Sequence, residues 1–267
     1  NNKDPFEVKS FNGNYLRYIK MLTLLIGRAD YIHIRGFVSG IVFYFVKLIT
    51  RNNVPYVYDP RGLFIQEIKE SRPVVSLLSP LLTLIEQSII NHAKSVIVTS
   101  EKFSNAISAT YSCKEKVVII YNTTSIAMPV GTTKNRNLRE KKIINFAYVG
   151  AINYWHDLNE IFDIMKKINK QLRCANFYIA TADKNHIKII ERFQLDANIS
   201  INVCCVKYSE LTNFLNQMDV GISVVRPTAS SECASPIKIS DYIASQLYII
   251  CNYGIGDFDE FFVDNNS

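Results

Sequence analysis

The segment SPIKISDYIASQLYIICN, residues 235–252, shows most clearly how this chain folds. A polar turn with Ser235 and Lys238 leads into a helix that carries Asp241 near its start, and the apolar strand Tyr248–Cys251 follows. The amino end of a helix with a lysine beside it attracts an anion. A carboxylate one turn later accepts hydrogen bonds from hydroxyl groups. The segment therefore predicts a helix-to-strand unit with a site for a sugar nucleotide.

Outward from this segment, short apolar runs alternate with amphipathic stretches along the chain. Their near-continuous Val, Ile and Tyr content is typical of parallel strands buried on both faces. The predicted strands are residues 31–35, 55–58, 95–99, 117–121, 143–149, 176–180, 199–205, 220–225 and 248–251. The predicted helices are residues 15–27, 37–52, 75–92, 104–111, 158–172, 186–193, 210–217 and 239–245. This alternation predicts βαβ units and an α/β fold.

One stretch interrupts the alternation. Residues 126–142, IAMPVGTTKNRNLREKK, are polar and basic, contain Pro129 and Gly131, and show no apolar period. Such a composition is typical of a linker between domains. The sequence therefore predicts an amino-terminal domain over residues 1–130, a linker over residues 131–142 and a carboxy-terminal domain over residues 143–267. We expect two Rossmann-like domains that face a cleft.

The composition, 48% hydrophobic and 20% charged, is that of a globular protein. The six cysteines lie mostly in strand-like runs, without CxxC spacing or paired histidines, which indicates buried reduced thiols and a cytoplasmic protein. The polar start of the chain shows no signal peptide. The longest apolar run, residues 37–50, is too short to cross a bilayer.

The net charge of +6 is concentrated in the front half of the chain. Residues 1–140 contain 18 Lys and Arg against 10 Asp and Glu, whereas residues 141–267 contain 12 against 14. This asymmetry favours an anionic partner, either a membrane surface or a phosphorylated acceptor, although ordinary solubilising lysines explain it equally well. No dense basic block interleaved with aromatic residues is present, which argues against nucleic acid.

Several common chemistries lack their motifs. GxGxxG and GxxxxGK[ST] are absent, so dinucleotide and P-loop sites are unsupported. HExxH and Cys/His ligand spacing are absent too, so no zinc site is predicted. Residues 235–238 spell SxxK, but the partner motifs of the serine β-lactamases are missing.

Polar residues cluster in two loops of the back half. Gly150 stands where the fifth predicted strand turns toward a helix, which is either a close approach to a ligand or only a tight turn. Trp155 lies in the same loop, and Asn153 or Asp157 is the expected helix cap. The segment VVRPTASSECASPIKISDYIAS, which follows the eighth predicted strand, contains the charged or hydroxyl-bearing residues Arg226, Glu232, Ser235, Lys238 and Asp241. Ligands of open α/β sheets bind at such strand ends.

Two strands of the front half end in polar loops that contain glycine. YIHIRGFVSG places His33 before Gly36, and VPYVYDPRGLF places Asp59 and Arg61 before Gly62. Both loops are expected at the same edge of the sheet, where they make a candidate acceptor site. Asp59 and Arg61 are equally typical of a structural ion pair, and His33 of a core histidine.

These motifs resemble the retaining GT-B glycosyltransferases of family 4, which build bacterial polysaccharides and glycolipids. SPIKISDYIASQLYIICNYGIGD is similar to the family's SPxKxxEYxAxGxPVI block, and VGAINYWHDLNEIF to its donor-domain glycine loop. ADYIHIRG, VPYVYDPRG, LIEQSIINHAKSVIVTSE and VVIIYNTT resemble strands of the acceptor domain. The resemblance covers roughly residues 20–264.

The resemblance implies a nucleoside-diphosphate sugar donor, no metal or other cofactor, and a glycan or lipid-linked acceptor. Asp241 matches the second Glu of the family's Glu-x7-Glu pair, which holds the ribose, and Lys238 matches the Lys of the SPxK variant. Glu232 lies one position before the first Glu, which contacts the donor sugar, and Cys233 occupies the strict position. Gly150, Arg226 and Ser235 complete the expected donor site.

The sequence also departs from the family pattern. Ala151 and His156 stand where many members have the Arg and Lys that bind the diphosphate, so Lys238 and Arg226 are the expected substitutes. The resemblance also implies that the chain is incomplete at both ends. The expected function is retaining sugar transfer, with Glu232 and Lys238 as catalytic residues, at the cytoplasmic side of a membrane. A non-catalytic nucleotide-sugar-binding or scaffold protein on the same frame is the alternative, and a sugar-nucleotide epimerase is a distant third.

Overall fold

The computed structural model describes residues 15–127, 138, 140–152, 155–156, 158–172, 174–182, 187, 189–191, 193–194 and 199–264. The chain divides into two compact units. Unit 1 comprises residues 1–98 and 103–120, and unit 2 comprises residues 99–102 and 121–267. Unit 1 thus ends at Ile120, before the predicted boundary at residue 130. The predicted linker lies largely outside the described residues and stays a prediction.

Unit 1 is built on a four-stranded parallel sheet in the order β1-β2-β3-β4. Its strands are β1 (Ile32–Arg35), β2 (Tyr56–Asp59), β3 (Ser95–Val98) and β4 (Val117–Ile119). Its helices are α1 (Tyr15–Ile26), α2 (Phe37–Thr50), α3 (Phe64–Ser71), α4 (Pro73–Ser76), α5 (Ser79–His92) and α6 (Glu101–Tyr111), of which α6 begins in residues of unit 2. Fully buried side chains of β2 and β3, such as Tyr56, Tyr58 and Val96, form the centre of its core.

Unit 2 is built on a five-stranded parallel sheet in the order β7-β6-β5-β8-β9. Its strands are β5 (Ile144–Val149), β6 (Ala175–Ala180), β7 (Ile201–Cys204), β8 (Val220–Ser223) and β9 (Tyr248–Cys251). The helices of its described residues that have both ends defined are α7 (Leu158–Gln171), α8 (Leu211–Asn216), α9 (Ala229–Glu232), α10 (Ile237–Ala244) and α11 (Phe258–Asp264). Residues 187, 189–191 and 193–194, within the predicted helix over residues 186–193 or next to it, are helical too. The chain runs outward from β5 to β7 and returns to the other side of β5 at β8. The strand order therefore reverses between β5 and β8, which is where α/β sheets bind ligands.

The predicted α/β fold with parallel sheets is confirmed, and each predicted strand is present with ends shifted by no more than two residues. The predicted helix over residues 75–92 is instead two helices, α4 and α5. Pro80 lies in the first turn of α5 and has no backbone N–H, so the helix restarts there. The short helices α3, α9 and α11 were not predicted, because eight residues or fewer carry too little apolar periodicity.

A tyrosine joins the helix of the quoted segment to the sheet of unit 2. Tyr242 of α10 is fully buried, its hydroxyl donates to the carbonyl of Ile222 at 3.3 Å, and the N–H of Val149 donates to it at 3.1 Å. Gly221 makes this possible, because a Cβ there would lie 2.4 Å from the Tyr242 ring. The ring thereby fixes α10 over β5 and β8, the two strands between which the order reverses.

Candidate functional site

The loops that follow β5 and β8 meet at the point where the strand order reverses. Gly150 comes directly after β5, with φ of +131°, and its N–H donates to the carbonyl of Ala180 at 2.9 Å. Arg226 lies three residues beyond β8, and its N–H donates to the carbonyl of Trp155 at 2.8 Å. Main-chain hydrogen bonding thus ties the two predicted donor loops together. Asn153 and Asp157 lie outside the described residues.

Lys238 lies in the first turn of α10, not in the turn before it as the sequence suggested. Its side chain is 8% exposed and points toward β5. Its Nζ donates to the Tyr148 hydroxyl at 3.2 Å and lies 4.3 Å from the centre of that ring. A Cβ on Gly150 would lie 3.4 Å from the same Nζ, so the glycine leaves the space that the lysine uses. The structure therefore brings Lys238 and Gly150 together.

Burial governs the charges of this cluster. Desolvation lowers the pKa of Lys238 from 10.5 to about 7, so a large fraction of the amine is uncharged at neutral pH. Burial and the nearby Lys238 lower the pKa of His156 to about 4, and its ring packs edge-on against Tyr148 at 5.9 Å between centres. His156 is consequently neutral at pH 7 and adds no positive charge. An anion entering the cluster would favour the charged form of Lys238.

A short braced loop precedes the lysine. Thr228 caps α9 with a reciprocal pair of hydrogen bonds to Ser231, whose hydroxyl also donates to the carbonyl of Arg226 at 2.6 Å. Glu232 ends α9 with its side chain exposed to solvent, while its carbonyl accepts from the N–H of Gly256 at 2.9 Å. At Gly256 φ is +59° and a Cβ would lie 2.2 Å from a backbone oxygen, so glycine is required there.

Asp241, one turn after Lys238, contacts a different partner. Its carboxylate is 6% exposed and accepts from the Thr124 hydroxyl at 2.5 Å. Burial raises the pKa of Asp241, although the Thr124 bond lowers it. The neighbouring Ser235 accepts through its carbonyl from Asn122 at 2.8 Å. Ser235 also borders a cavity of about 420 Å³ lined mainly by hydroxyl-bearing and apolar residues of unit 2, among them Thr99, Thr124, Ser240, Ile243 and Phe261.

The predicted acceptor-side residues lie together in unit 1. The Asp59 carboxylate is 3.4 Å from Nε of Arg35 and 3.7 Å from Nε2 of His33, and it accepts from the backbone N–H of Arg61 at 3.1 Å. Burial raises the pKa of Asp59, while Arg35 and His33 lower it. The alternative of an Asp59–Arg61 ion pair was wrong, because Arg61 uses its main chain and Arg35 supplies the guanidinium. The His33 side chain is 57% exposed, so it is not a core histidine.

A cavity of about 350 Å³ opens beside these loops. Its lining comes from the segments after β1 and β2, including Gly36, Ser39, Arg61, Gly62 and Glu67. Arg61 has φ of +73°, which is unusual for a residue other than glycine. Burial and the adjacent Glu70 raise the pKa of Glu67.

Sequence reasoning missed the tyrosines that organise the site. Tyr148 and Tyr242 were not singled out from the sequence, yet the first contacts Lys238 and the second anchors α10. Tyr148 comes two positions before Gly150, and this spacing was the available signal. Glu232, Ser235 and Asp241 contact other groups than Lys238. Within the described ranges, no group of three or more His, Cys, Asp or Glu is placed to bind a metal.

Comparisons with known proteins place this geometry in context. Residues 3–127 match the profile of Glycosyltransferase Family 4. Comparison with curated protein sequences gives no match. Anabaena Alr3699/HepE, solved in complex with UDP-glucose, is 12% identical with a TM-score of 0.66, and the match covers 94% of this chain and 67% of that one.

Two further structures share the fold. WaaG, a glycosyltransferase of lipopolysaccharide biosynthesis, is 10% identical with a TM-score of 0.64, over 98% of this chain and 70% of WaaG. Sucrose-phosphate synthase from Thermosynechococcus elongatus is 13% identical with a TM-score of 0.61, over 96% and 65%. The chain thus spans about two thirds of the length of these proteins. It has the GT-B glycosyltransferase fold, and its front half matches Glycosyltransferase Family 4.

Proposed function

We propose that the protein is a glycosyltransferase that moves a sugar from a nucleoside-diphosphate sugar to a surface-glycan or lipid-linked acceptor, with retention of configuration and without a metal. The observation that carries this proposal is the cluster of Lys238, Gly150 and the amino end of α10 where the strand order reverses. A helix amino terminus with a lysine beside it binds phosphate. The UDP-glucose complex of the similar HepE supports a nucleotide-sugar donor.

In this proposal the phosphate groups enter beside Lys238. Negative charge develops on the leaving diphosphate as the glycosidic bond breaks, and a positioned cation with a helix terminus stabilises it. Because burial leaves a large fraction of Lys238 uncharged at neutral pH, binding of the diphosphate would draw a proton onto its amine. Arg226 is the second proposed cation, since its main chain is fixed against the β5 loop. The ribose hydroxyls would compete with Thr124 for Asp241.

The acceptor is assigned to the cavity of unit 1, beside His33, Asp59 and Arg61. Its mixed lining of cations, carboxylates and glycine backbone suits hydroxyl groups of a sugar. A location at the cytoplasmic face of a membrane follows from a lipid-linked acceptor and from the basic front half. Glu232 is assigned to the donor sugar, and its side chain is exposed to solvent.

Binding of UDP, GDP and ADP by isothermal titration calorimetry tests the donor site. Lys238→Met should weaken the preferred nucleotide at least about tenfold, since a charge-assisted contact to phosphate is lost. Lys170→Met, at an exposed position of α7, is the matched control and should bind as the wild type does. Equal affinity of wild type and Lys238→Met would exclude this donor site. Two measurements with the matching nucleotide sugar test the rest of the proposal. The anomer of the product, detected by NMR, tests retention, and turnover with and without EDTA tests metal independence.

A non-catalytic nucleotide-sugar-binding protein is the second candidate. The neutral His156 and the exposed Glu232 favour it, because the diphosphate then has fewer cations and the donor sugar no buried carboxylate. The two candidates differ in donor hydrolysis. If a nucleotide binds in calorimetry but no sugar is released from its UDP-, GDP- or ADP-linked form, the result would support the binding protein.

A further inference from the structure

A short irregular stretch after β4 lies against the carboxylate that the proposed donor site assigns to the ribose. Residues 121–126 belong to unit 2 and form neither helix nor strand. We call residues 122–125 the strap. Within the described residues, no hydrogen bond between two main-chain groups holds residues 121–125. The strap is therefore held in place by its side chains.

The middle of the strap occupies an acceptor that a ribose would need. The Thr124 hydroxyl donates to Oδ1 of Asp241 at 2.5 Å, and within the described part of the chain it is the one donor to this buried carboxylate. The same hydroxyl accepts from the N–H of Ile126 at 3.0 Å, which fixes its position. A ligand hydroxyl can reach Oδ1 of Asp241 only by replacing Thr124.

Two weaker bonds flank this contact. The Asn122 side chain donates to the carbonyl of Ser235 at 2.8 Å, in the turn before α10. The hydroxyls of Ser125 and Tyr208 lie 2.7 Å apart, in front of α8. Asn122, Ser125 and Tyr208 are exposed, so water competes for both bonds and each contributes little. The strap can consequently move away from Asp241 without breaking any part of the sheet.

The residue that follows the strap anchors its carboxy end. Ile126 is buried in the core of unit 2 together with Leu211, Leu215 and Tyr242. This contact is apolar, so it does not depend on the hydrogen bonds of the strap. The anchor therefore keeps Thr124 close to Asp241 when those bonds break, and the strap can return once a ligand leaves.

We propose that the strap is a latch on the ribose end of the donor site, which the hydroxyls of a nucleotide displace from Asp241 on binding. The inference rests on the proposed function, because it takes Asp241 as the ribose carboxylate. A nucleotide binds with an affinity that is reduced by the fraction of molecules in which Thr124 holds Asp241. Thr124 is thus a positioning residue that opposes donor binding, and a sugar with two free hydroxyls displaces it better than a sugar with one.

Calorimetry with nucleotides and their 2′-deoxy analogues tests the latch. The probe is whichever of UDP, GDP and ADP binds the wild type most tightly. Thr124→Val should raise its affinity about tenfold, because a hydrogen bond to a charged group no longer opposes binding. Ser125→Ala, which removes only an outer bond of the strap, should raise it about twofold or more. The 2′-deoxy analogue has one competing hydroxyl fewer, so Thr124→Val should improve its affinity less.

The matched control is Thr212→Val, at an exposed position of α8, which should bind as the wild type does. Thermal melts show whether each variant is folded, and Ser125→Ala carries the test if Thr124→Val melts early. Equal or weaker affinity in the folded strap variants would overturn the latch and leave the donor site standing, since the wild type would still bind nucleotide. An equal gain for the nucleotide and its 2′-deoxy analogue would overturn it too. If neither wild type nor variants bind any of the three nucleotides, the proposed function fails and the latch fails with it.

Discussion

Replacing Lys238 by Met should stabilise the protein, and by an amount that depends on pH. The lysine amine is buried with the Tyr148 hydroxyl as its hydrogen-bond partner, and its pKa falls from 10.5 to about 7. Each pH unit corresponds to about 1.4 kcal/mol, so keeping this amine in the fold costs up to about 5 kcal/mol at pH 6. Methionine has a similar length and no charge, so it avoids most of that cost.

The sign of the pH dependence follows from the two pKa values. In the unfolded chain the amine gains its proton as the pH falls through 10.5, whereas in the folded protein it gains one only near pH 7. The cost of burying this amine in the wild type is therefore negligible above pH 10.5. The cost grows as the pH falls toward 7 and stays constant below pH 7. The advantage of Lys238→Met should accordingly be greatest at pH 6 and smaller by about 2–3 kcal/mol at pH 9.

Urea denaturation of wild type and Lys238→Met at pH 6, 7, 8 and 9 measures this difference in the free energy of unfolding. Titrating groups that do not interact with Lys238 cancel in the difference, because they are common to both proteins. His156, whose pKa Lys238 helps to lower, adds to the difference mainly below pH 7. Lys170→Met is the control for loss of an exposed lysine and should differ little from the wild type at every pH. A Lys238→Met difference that does not change with pH, or a variant less stable than the wild type at pH 6, would refute the burial argument.

Three further predictions concern the same unit. Calorimetry in buffers of different ionisation enthalpy should show proton uptake when the preferred nucleotide binds near pH 7, and the affinity should be weaker at pH 9. Binding without proton uptake would mean that the buried amine does not contact the diphosphate. Gly221→Ala should destabilise the fold by about 3 kcal/mol or more, because its Cβ would overlap the Tyr242 ring. The control Gly27→Ala, whose Cβ would have no neighbour within 4 Å, should leave the stability unchanged, and equal urea midpoints for the two variants would contradict this packing. Thr124→Val should cost about 1–2 kcal/mol at pH 8 by removing the hydroxyl that donates to Asp241. The loss should become smaller at acid pH, where the carboxyl is protonated and mainly the bond from the Ile126 N–H to the Thr124 hydroxyl is missing; a loss that is the same at both pH values would contradict the role of the Asp241 bond.

The alternation of strands and helices was predictable because strands of a parallel sheet buried on both faces consist of near-continuous apolar runs. β5, β6 and β8 are near-continuous apolar runs, and their bounds were found to within two residues. The break between α4 and α5 was not found, since the residues on both sides of it are apolar. Apolar character does not identify the buried face of α5 either, because Leu81 and Leu84 are exposed while the polar Glu86 is buried.

Sequence alone predicted which loops form the candidate site: the family block and the strand ends pointed to Gly150, Arg226 and Lys238. This prediction was possible because each glycine or charged residue at a strand end can be recognised from its own position in the sequence. The sequence did not show the contacts that set the burial and the pKa of these residues. The Tyr148 hydroxyl beside Lys238, the Tyr242 ring on Gly221 and the Thr124 bond to Asp241 join residues at least 21 positions apart. Burial and pKa depend on such distant neighbours, so only the tertiary structure decided that Lys238 is a buried, partly uncharged amine and that Glu232 is exposed.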